Sequence, residues 1–255
     1  MRCFTFLTLS YLVLSLGLSA QGPGGSGYPP PHAFPGRGGP MGLGMHSGKI
    51  VAGAPYSATT KASVTQTLAD GNTISRVITG QLARDSQGRT YSQQNITGGL
   101  WGQGGAVTIT FIADPVAGYT YMLNSTRKTA FRRPFKERTN QSARPFEGSN
   151  AAGTRNRVET DLGQQTISGV TVTGKSISRT IPAGQIGNTA AIVEKTEIWT
   201  DPELQVVVQS THSDPRWGQS TYTLSNIQQA EPNPALFQVP PGYTIQDAPA
   251  RGSQP

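Results

Sequence analysis

Residues 107–123 read VTITFIADPVAGYTYML, and this stretch decides the fold class. Val107, Ile109 and Phe111 alternate with threonines, so one face of the first run is apolar and the other is polar. A period of two with one polar face is typical of a strand in an antiparallel sheet that water reaches on one side. The segment DPVAG that follows is rich in turn-forming residues, so we expect the second run to return beside the first.

The same arrangement of short alternating runs and turns repeats from residue 50 to residue 247. Runs rich in threonine, valine and isoleucine are separated by further turn signals at residues 70–71, 85–88, 201–202 and 214–218. An Asp-Gly pair between two such runs is a strong signal for a two-residue hairpin. No window of about 11 residues or more carries a helical stripe, and short helical turns are predicted only near 182–186 and 234–237.

We count roughly ten such runs, which predicts an all-β fold with very little helix. A single sheet of about ten twisted strands tends to curl or close. We therefore expect one antiparallel curved sheet or half-barrel, with a closed barrel or a sandwich as arrangements that satisfy the same pattern. The chain of 255 residues is long enough to bury one sizeable core.

The N-terminus predicts export. Arg2 precedes an apolar run over residues 4–18, and the small residues up to Ala20 suit a cleavage site. These are the features of a secretory signal peptide, and the run is shorter than the about 20 residues that span a bilayer. We expect a signal peptide over residues 1–20, cleavage near Ala20, no transmembrane segment in the mature chain, and a periplasmic or extracellular location.

The remaining domain organisation follows from composition. Residues 21–49 are rich in glycine and proline, which favour open coil and polyproline II, so this segment is predicted to be a disordered linker. It either tethers the folded part or presents its prolines to an aromatic groove of a partner. The β domain is expected over residues 50–247, with a basic loop insertion near 133–156, and residues 248–255 are predicted to be a disordered tail.

The charge is concentrated in one segment. The chain has 21 Lys and Arg against 14 Asp and Glu, a net charge of +7. Residues 127–157 hold nine basic and two acidic residues, with phenylalanines between them. Clustered arginines bind the phosphates or carboxylates of lipid headgroups and envelope polymers, whereas the plainer interpretation is a solvated insertion. The candidate anion-binding residues are Arg127, Lys128, Arg132, Arg133, Lys136 and Arg138.

Groups that catalyse reactions are scarce. The single cysteine, Cys3, lies in the predicted signal peptide, and only His212 of the three histidines lies in the β domain. His212 adjoins Ser213 and Asp214, but neighbouring residues of an extended strand point to opposite faces and do not converge as a triad. Asp201 and Asp214 are expected to cap turns. The sequence therefore predicts no catalytic residue, no metal site and no cofactor, and an unrecognised hydrolase is the enzymatic alternative.

Several of these motifs form a recognisable set: residues 70–72, 84–90, 114–118, 180–188, 199–204, 213–216, 222–227 and 231–240. Together they resemble a family of exported bacterial proteins of uncharacterised activity. The C-terminal sequence LFQVP, followed by YTI, more distantly resembles the periplasmic lipoprotein carriers (LolA-like). That second resemblance implies a curved antiparallel sheet whose concave face holds acyl chains.

The function that these observations favour is an exported, non-enzymatic binding protein of the cell envelope. The expected partner is an acyl or lipid ligand, lipoprotein-like in chemistry, or an anionic envelope surface. Nucleic acid is not expected as a partner, because export separates the protein from it. The alternative is a structural or surface-attachment protein held on the flexible linker. The sequence leaves the oligomeric state open.

Overall fold

The structure is a computed structural model that describes residues 49–96, 107–137 and 156–248. Twelve strands in these ranges form one sheet, which confirms the predicted all-β class. The first six strands are β1 (Tyr56–Thr67), β2 (Thr73–Arg84), β3 (Thr90–Ile96), β4 (Val107–Asp114), β5 (Tyr119–Asn124) and β6 (Thr129–Pro134). The other six are β7 (Arg157–Ile167), β8 (Val170–Ile181), β9 (Ile192–Asp201), β10 (Val206–Asp214), β11 (Gly218–Gln228) and β12 (Thr244–Asp247).

The strands lie in the order β12-β6-β5-β4-β3-β2-β1-β11-β10-β9-β8-β7. The sheet is open and consists of two antiparallel meanders, β1–β6 and β7–β11, which join where β1 pairs with β11. Strand β12 adds to the free side of β6 as the one parallel pair among the described strands. Local hairpins therefore account for most of the pairing, as the turn signals predict.

The predicted turns form around aspartates that bond to their own backbone. The carboxylate of Asp201 accepts hydrogen bonds from the backbone N–H groups of Glu203 and Leu204 at 2.8 and 3.0 Å. The same kind of contact occurs in the turns that begin with Asp85, Asp114 and Asp214. This is the reason that aspartate favours turns, and it gives these carboxylates a structural role.

Two local features differ from the sequence pattern. Residues 182–186 form a turn without helix, because the side-chain amide of Asn188 donates to the carbonyls of Pro182 and Ala190 at 2.9 and 2.7 Å. The other predicted helical turn does form, as a 3-10 helix over Pro234–Phe237. In β10 the alternation is interrupted, since the register against β9 shifts in a bulge between Val207 and Gln209.

The strand registers define two faces of the sheet. Ala58, Leu82, Ser92 and Phe111 are successive partners across β1–β4, so they share one face, which we call the inner face. Tyr222 lies on it too, because it pairs with Ala62 of β1. The opposite face is the outer face.

The structure has two hydrophobic cores, one on each face. The larger core fills the inner face around β1, β2, β10 and β11, and consists of Tyr56, Ala58, Ala62, Leu82, Val170, Val172, Leu204, Val208, Tyr222 and Leu224. The smaller core consists of Ile112, Leu123 and Ala130, which lie on the outer face of β4–β6 beneath Val239 and Tyr243 of the C-terminal segment.

The sheet curls toward its inner face. The guanidinium Nη2 of Arg84 in β2 donates to the carbonyl of Leu204, next to β10, at 2.6 Å. Ser168 Oγ, before β8, donates to the carbonyl of Leu224 in β11 at 2.7 Å. Each pair is separated by three strand spacings, about 14 Å in a flat sheet, so the contacts require strong curvature. Within the described ranges, no helix is long and apolar enough to cross a bilayer.

Candidate functional site

An apolar row lies on the inner face of β4–β6. Phe111, Met122 and Phe131 are successive cross-strand partners, and Ile109 lies two residues from Phe111 on the same face. None of the four belongs to either core. Met122 is 41% exposed, and the other three are half-buried. The described part of the chain thus leaves Met122 exposed and covers the other three only in part.

A cleft of about 160 Å³ lies beside the apolar row. Its base is the inner face of β1, β2 and β11, and its walls are residues 49–51 and the turn between β9 and β10. Ala113 and Phe135 also line it. Because Ala113 follows Phe111 by two residues in β4, the cleft and the apolar row share one face.

Arg84 is a buried cation in this cleft. The residue is 5% exposed, and its Nε and Nη2 atoms donate to the carbonyl of Ala54 at 3.0 and 2.8 Å, in addition to the contact with Leu204. The guanidinium carbon lies 5.0 Å from the centre of the Tyr56 ring, within the range of a cation–π contact. No carboxylate among the described residues forms an ion pair with it.

The electrostatics around Arg84 are correspondingly unbalanced. Burial lowers the pKa of Arg84, while the nearby Tyr56 and Asp201 act in the opposite direction. The guanidinium still carries its charge, because arginine does not lose its proton in proteins. Positive charge is therefore held at the base of the cleft without a direct ion pair to a described carboxylate, while Asp201 acts on it from outside the cleft lining.

Two tyrosines complete the base of the cleft. Burial raises the pKa of Tyr56, an effect that Arg84 partly opposes, and burial also raises the pKa of Tyr222. Both phenols therefore keep their protons at neutral pH and can act as hydrogen-bond donors. No hydrogen bond joins either hydroxyl to another described residue.

The candidate anion-binding residues are divided between the two ends of β6. Arg127 and Lys128 lie in the turn before it, where Lys128 Nζ is 5.2 Å from the centre of the Tyr243 ring. Arg132 and Arg133 lie near its other end, and Lys136 follows it. Arg138 lies outside the described residues. The structure therefore does not gather the described members into one compact patch.

Arg132 and Arg133 point to opposite faces of the sheet, as neighbours in a strand must. Arg132 donates to both carboxylate oxygens of Asp247 at 2.8 and 3.2 Å, and its guanidinium lies 4.8 Å from the centre of the Tyr119 ring. The hydrogen bond that Arg132 donates to Asp247 raises the pKa of Arg132. Arg133 shares the inner face with Phe131 and is exposed, so it is the member closest in placement to the apolar row.

Sequence reasoning did not select Arg84, Tyr56 or Tyr222 as site residues. A signal was present in the spacing, because Arg84 follows Leu82 at the alternate position of β2 and so places a cation in an apolar stripe. Only the fold shows that three strands and a distant turn bring these side chains to one cleft.

The described groups with catalytic potential have structural partners. His212 Nδ1 bonds to the Thr196 hydroxyl at 2.9 Å across β9 and β10. Asp214 accepts hydrogen bonds from Arg216, which outweigh burial and lower the pKa of Asp214. The described ranges contain no group of three or more His, Cys, Asp or Glu that could hold a metal ion.

Comparisons with known proteins yield only weak likenesses. No family model matches the sequence, and no curated protein matches it. The solved structure of MucB has a TM-score of 0.39 and 8% identity, over 74% of this chain and 58% of that chain. LprF from Mycobacterium bovis has a TM-score of 0.31 and 16% identity, over 71% of this chain and 90% of that chain.

A LolA superfamily protein from Nitrosomonas europaea has a TM-score of 0.29 and 9% identity, over 78% of this chain and 97% of that chain. The structural neighbours thus include the superfamily of the more distant sequence resemblance. The chain spans little more than half the length of MucB. At these identities and TM-scores, none of the likenesses bears on function.

Proposed function

We propose that the protein is an exported, non-enzymatic binding protein of the cell envelope that holds an apolar chain, such as that of a lipid, on the inner face of its sheet. The observation that carries this proposal is the apolar row of Ile109, Phe111, Met122 and Phe131, which belongs to neither core and which the described residues cover only in part beside a cleft. Exposed apolar groups in contiguous rows are characteristic of binding surfaces.

The energetics favour a chain-like ligand. Removal of about 200 Å² of apolar surface from water contributes about 5 kcal/mol, and part of this offsets the entropy lost on association. A row that crosses three strands extends over two strand spacings, about 10 Å. A linear chain covers such a row better than a compact ligand does.

The basic residues supply a second part of the proposed surface. Arg133 shares the face of the apolar row, and Lys136 follows Phe135, which lines the cleft. Both are exposed, so they can approach the phosphates of a membrane or of an envelope polymer. In this proposal Arg127, Lys128 and Arg138 extend the attraction to anionic surfaces, whereas Arg132 is paired with Asp247 and contributes little to it.

Non-enzymatic binding is supported by the hydrogen bonds that the described turn carboxylates and His212 form with neighbouring groups of the protein. Export is supported by the sequence of residues 1–20. These residues lie outside the described ranges, and so do most of the linker, the tail and the basic insertion. The alternative of a tethered attachment protein rests on the linker.

The test is binding of a neutral apolar fluorophore, Nile red, to the purified chain. Met122→Glu places a charge in the apolar row at a position that is 41% exposed, so it should leave the fold intact and weaken binding at least tenfold. Val158→Glu is the matched control, because Val158 is an exposed apolar residue of β7, 62% exposed, at the far edge of the sheet. Equal binding by both variants would refute the proposal.

A further inference from the structure

We propose that the cleft binds the anionic head of the ligand, a carboxylate or a phosphate monoester, through Arg84, Tyr56 and Tyr222. The ligand would then be an anionic amphiphile whose head is buried and whose chain lies along the apolar row. This inference deepens the proposed function and rests on it for the chain, whereas the anion site stands on its own contacts.

The first support is the incomplete hydrogen bonding of Arg84. A guanidinium has five N–H donors in a planar fork. The protein contacts use Nε and Nη2, which meet the carbonyls of Ala54 and Leu204. Nη1 donates to no described residue, although Arg84 is 5% exposed. Nη1 is not among the fully buried polar atoms without a partner, so the free side of the fork reaches the water of the cleft and can meet an external oxyanion there.

The second support is the pair of tyrosines that line the same cleft as Arg84. Tyr56 and Tyr222 are 6% and 3% exposed, and each hydroxyl lacks a partner among the described residues. Neither hydroxyl is sealed from water, because Ser92 Oγ is the one fully buried side-chain polar atom without a partner among the described residues; both hydroxyls are therefore open to the cleft. Both residues line the same cleft as Arg84, where their neutral O–H groups can donate to a carboxylate or phosphate.

The third support is the charge of the whole cleft. Its lining includes two cations, Lys49 and Arg84, and no aspartate or glutamate. Lys49 Nζ is held near the β9–β10 turn by a 2.8 Å hydrogen bond to Gln205 Oε1. The arginine fork matches the geometry of carboxylate and phosphate oxygens. The cleft therefore favours an anion over a neutral or cationic head.

The size of the cleft sets the orientation of the ligand. A volume of about 160 Å³ is comparable to that of an engineered cavity of about 150 Å³ that holds one benzene molecule. That space holds a carboxylate or phosphate and the first part of a chain, but not a whole acyl chain. The rest of the chain would leave past Ala113 and Phe135 toward Phe111, Met122 and Phe131, which share the inner face.

The experiment compares ligands that differ in the head alone. Isothermal titration of the purified chain with decanoate, decyl phosphate and decanol measures the contribution of the anion at constant chain length. We expect decanoate or decyl phosphate to bind at least tenfold more tightly than decanol. Acetate and inorganic phosphate form a separate arm, read as a shift in melting temperature, which detects binding of an anion without a chain.

Variants assign the effect to the named residues. Tyr222→Phe removes a hydroxyl that has no partner in the described part of the chain, so it should leave the melting temperature unchanged and weaken decanoate binding by three- to tenfold. Its matched control is Tyr121→Phe on the outer face, which should change neither property. Arg84→Gln should abolish the preference for decanoate over decanol. Arg84 also donates hydrogen bonds to two carbonyls, so circular dichroism must first show that the Arg84→Gln variant folds. If that variant does not fold, the result for Tyr222→Phe alone tests the anion site.

The outcomes separate this inference from the proposed function. Equal binding of decanoate and decanol, or equal effects of Tyr222→Phe on both, overturns the anion site and leaves the proposed function standing. Stabilisation by acetate or phosphate that depends on Tyr222, without binding of any decyl compound, supports the anion site and refutes the proposed function. Absence of binding in every arm overturns both.

Discussion

The same face of one sheet is filled in one region and open in another. In the filled region, formed by β1, β2, β10 and β11, the inner face carries the larger core, and Leu224 is 0% exposed. In the open region, formed by β4–β6, the inner face carries the apolar row, and Met122 is 41% exposed. Both regions have alternating strands, so the difference lies in what packs on them.

Each region is covered by a different part of the chain. Val170 and Val172 at the start of β8 and Leu204 before β10 pack on the inner face of the filled region. The C-terminal segment packs Val239 and Tyr243 on the outer face of the open region. When the side chains on one face of a strand pack in a core, the apolar side chains on its other face remain available to a ligand. This is the basis of the proposed site.

The largest expected effect is the difference between matched truncations in the two regions. Leu224→Ala should lower the free energy of unfolding by about 2–5 kcal/mol, because it leaves a cavity in a packed core. Met122→Ala should lower it by less than about 1 kcal/mol, as exposed substitutions do. Urea denaturation of both variants measures the contrast. Similar losses would show that the apolar row is covered and that the two regions do not differ.

The next effect concerns the turn that covers the filled region. Asp201→Ala removes the acceptor for the N–H groups of Glu203 and Leu204, and loss of a buried acceptor costs about 1–3 kcal/mol. The variant should also change decanoate binding, since the carbonyl of Leu204 positions Arg84 and the Asp201 carboxylate acts on its charge. Asp70→Ala, in an exposed turn of β1 and β2, is the control and should leave binding unchanged. A stable Asp201→Ala protein with unaltered binding would contradict this link.

The sequence predicts the turns and strands well, and the physical reason is local. Asp201 caps its own turn and Phe111 alternates with threonines, so neither feature needs the rest of the chain. The assignment of cores to faces was not predictable, because alternation marks an apolar face without showing which segment covers it. Arg84 was missed for the same reason, since its partners Ala54 and Leu204 are far away in sequence.

Acid should reduce stability through one ion pair of the protein but not through another that lies in a different region of the sheet. Hydrogen bonds from Arg216 lower the pKa of Asp214, which is 3% exposed. The contribution of this ion pair to the free energy of unfolding is therefore fully present above the unfolded pKa of about 3.9. That contribution is lost as pH falls through the lower folded value. Asp214→Asn should remove this part of the acid sensitivity and lower the free energy of unfolding at pH 7 by about 1–3 kcal/mol.

The matched exposed pair is Arg132 and Asp247, which joins β6 to β12. Asp247 also has a lowered pKa, caused by its hydrogen bond with Arg132, but its side chain is 75% exposed. Salt screens such a pair, so Asp247→Asn should not change stability measurably at moderate ionic strength. Urea denaturation between pH 2 and about pH 7 tests both variants. Equal acid sensitivity in the two variants would contradict the distinction.

The smallest expected effect tests whether the open region faces an anionic surface. Arg133→Gln removes an exposed charge on the inner face, and one basic residue near a membrane contributes about 1 kcal/mol, about a fivefold change in affinity. Arg132→Gln is the control on the outer face, where the charge is already paired with Asp247. Sedimentation with vesicles that contain anionic lipid should show weaker binding for Arg133→Gln alone, and the difference should shrink as salt is raised. If the two variants lose affinity equally, the basic residues act through total charge and the inner face gives Arg133 no special role.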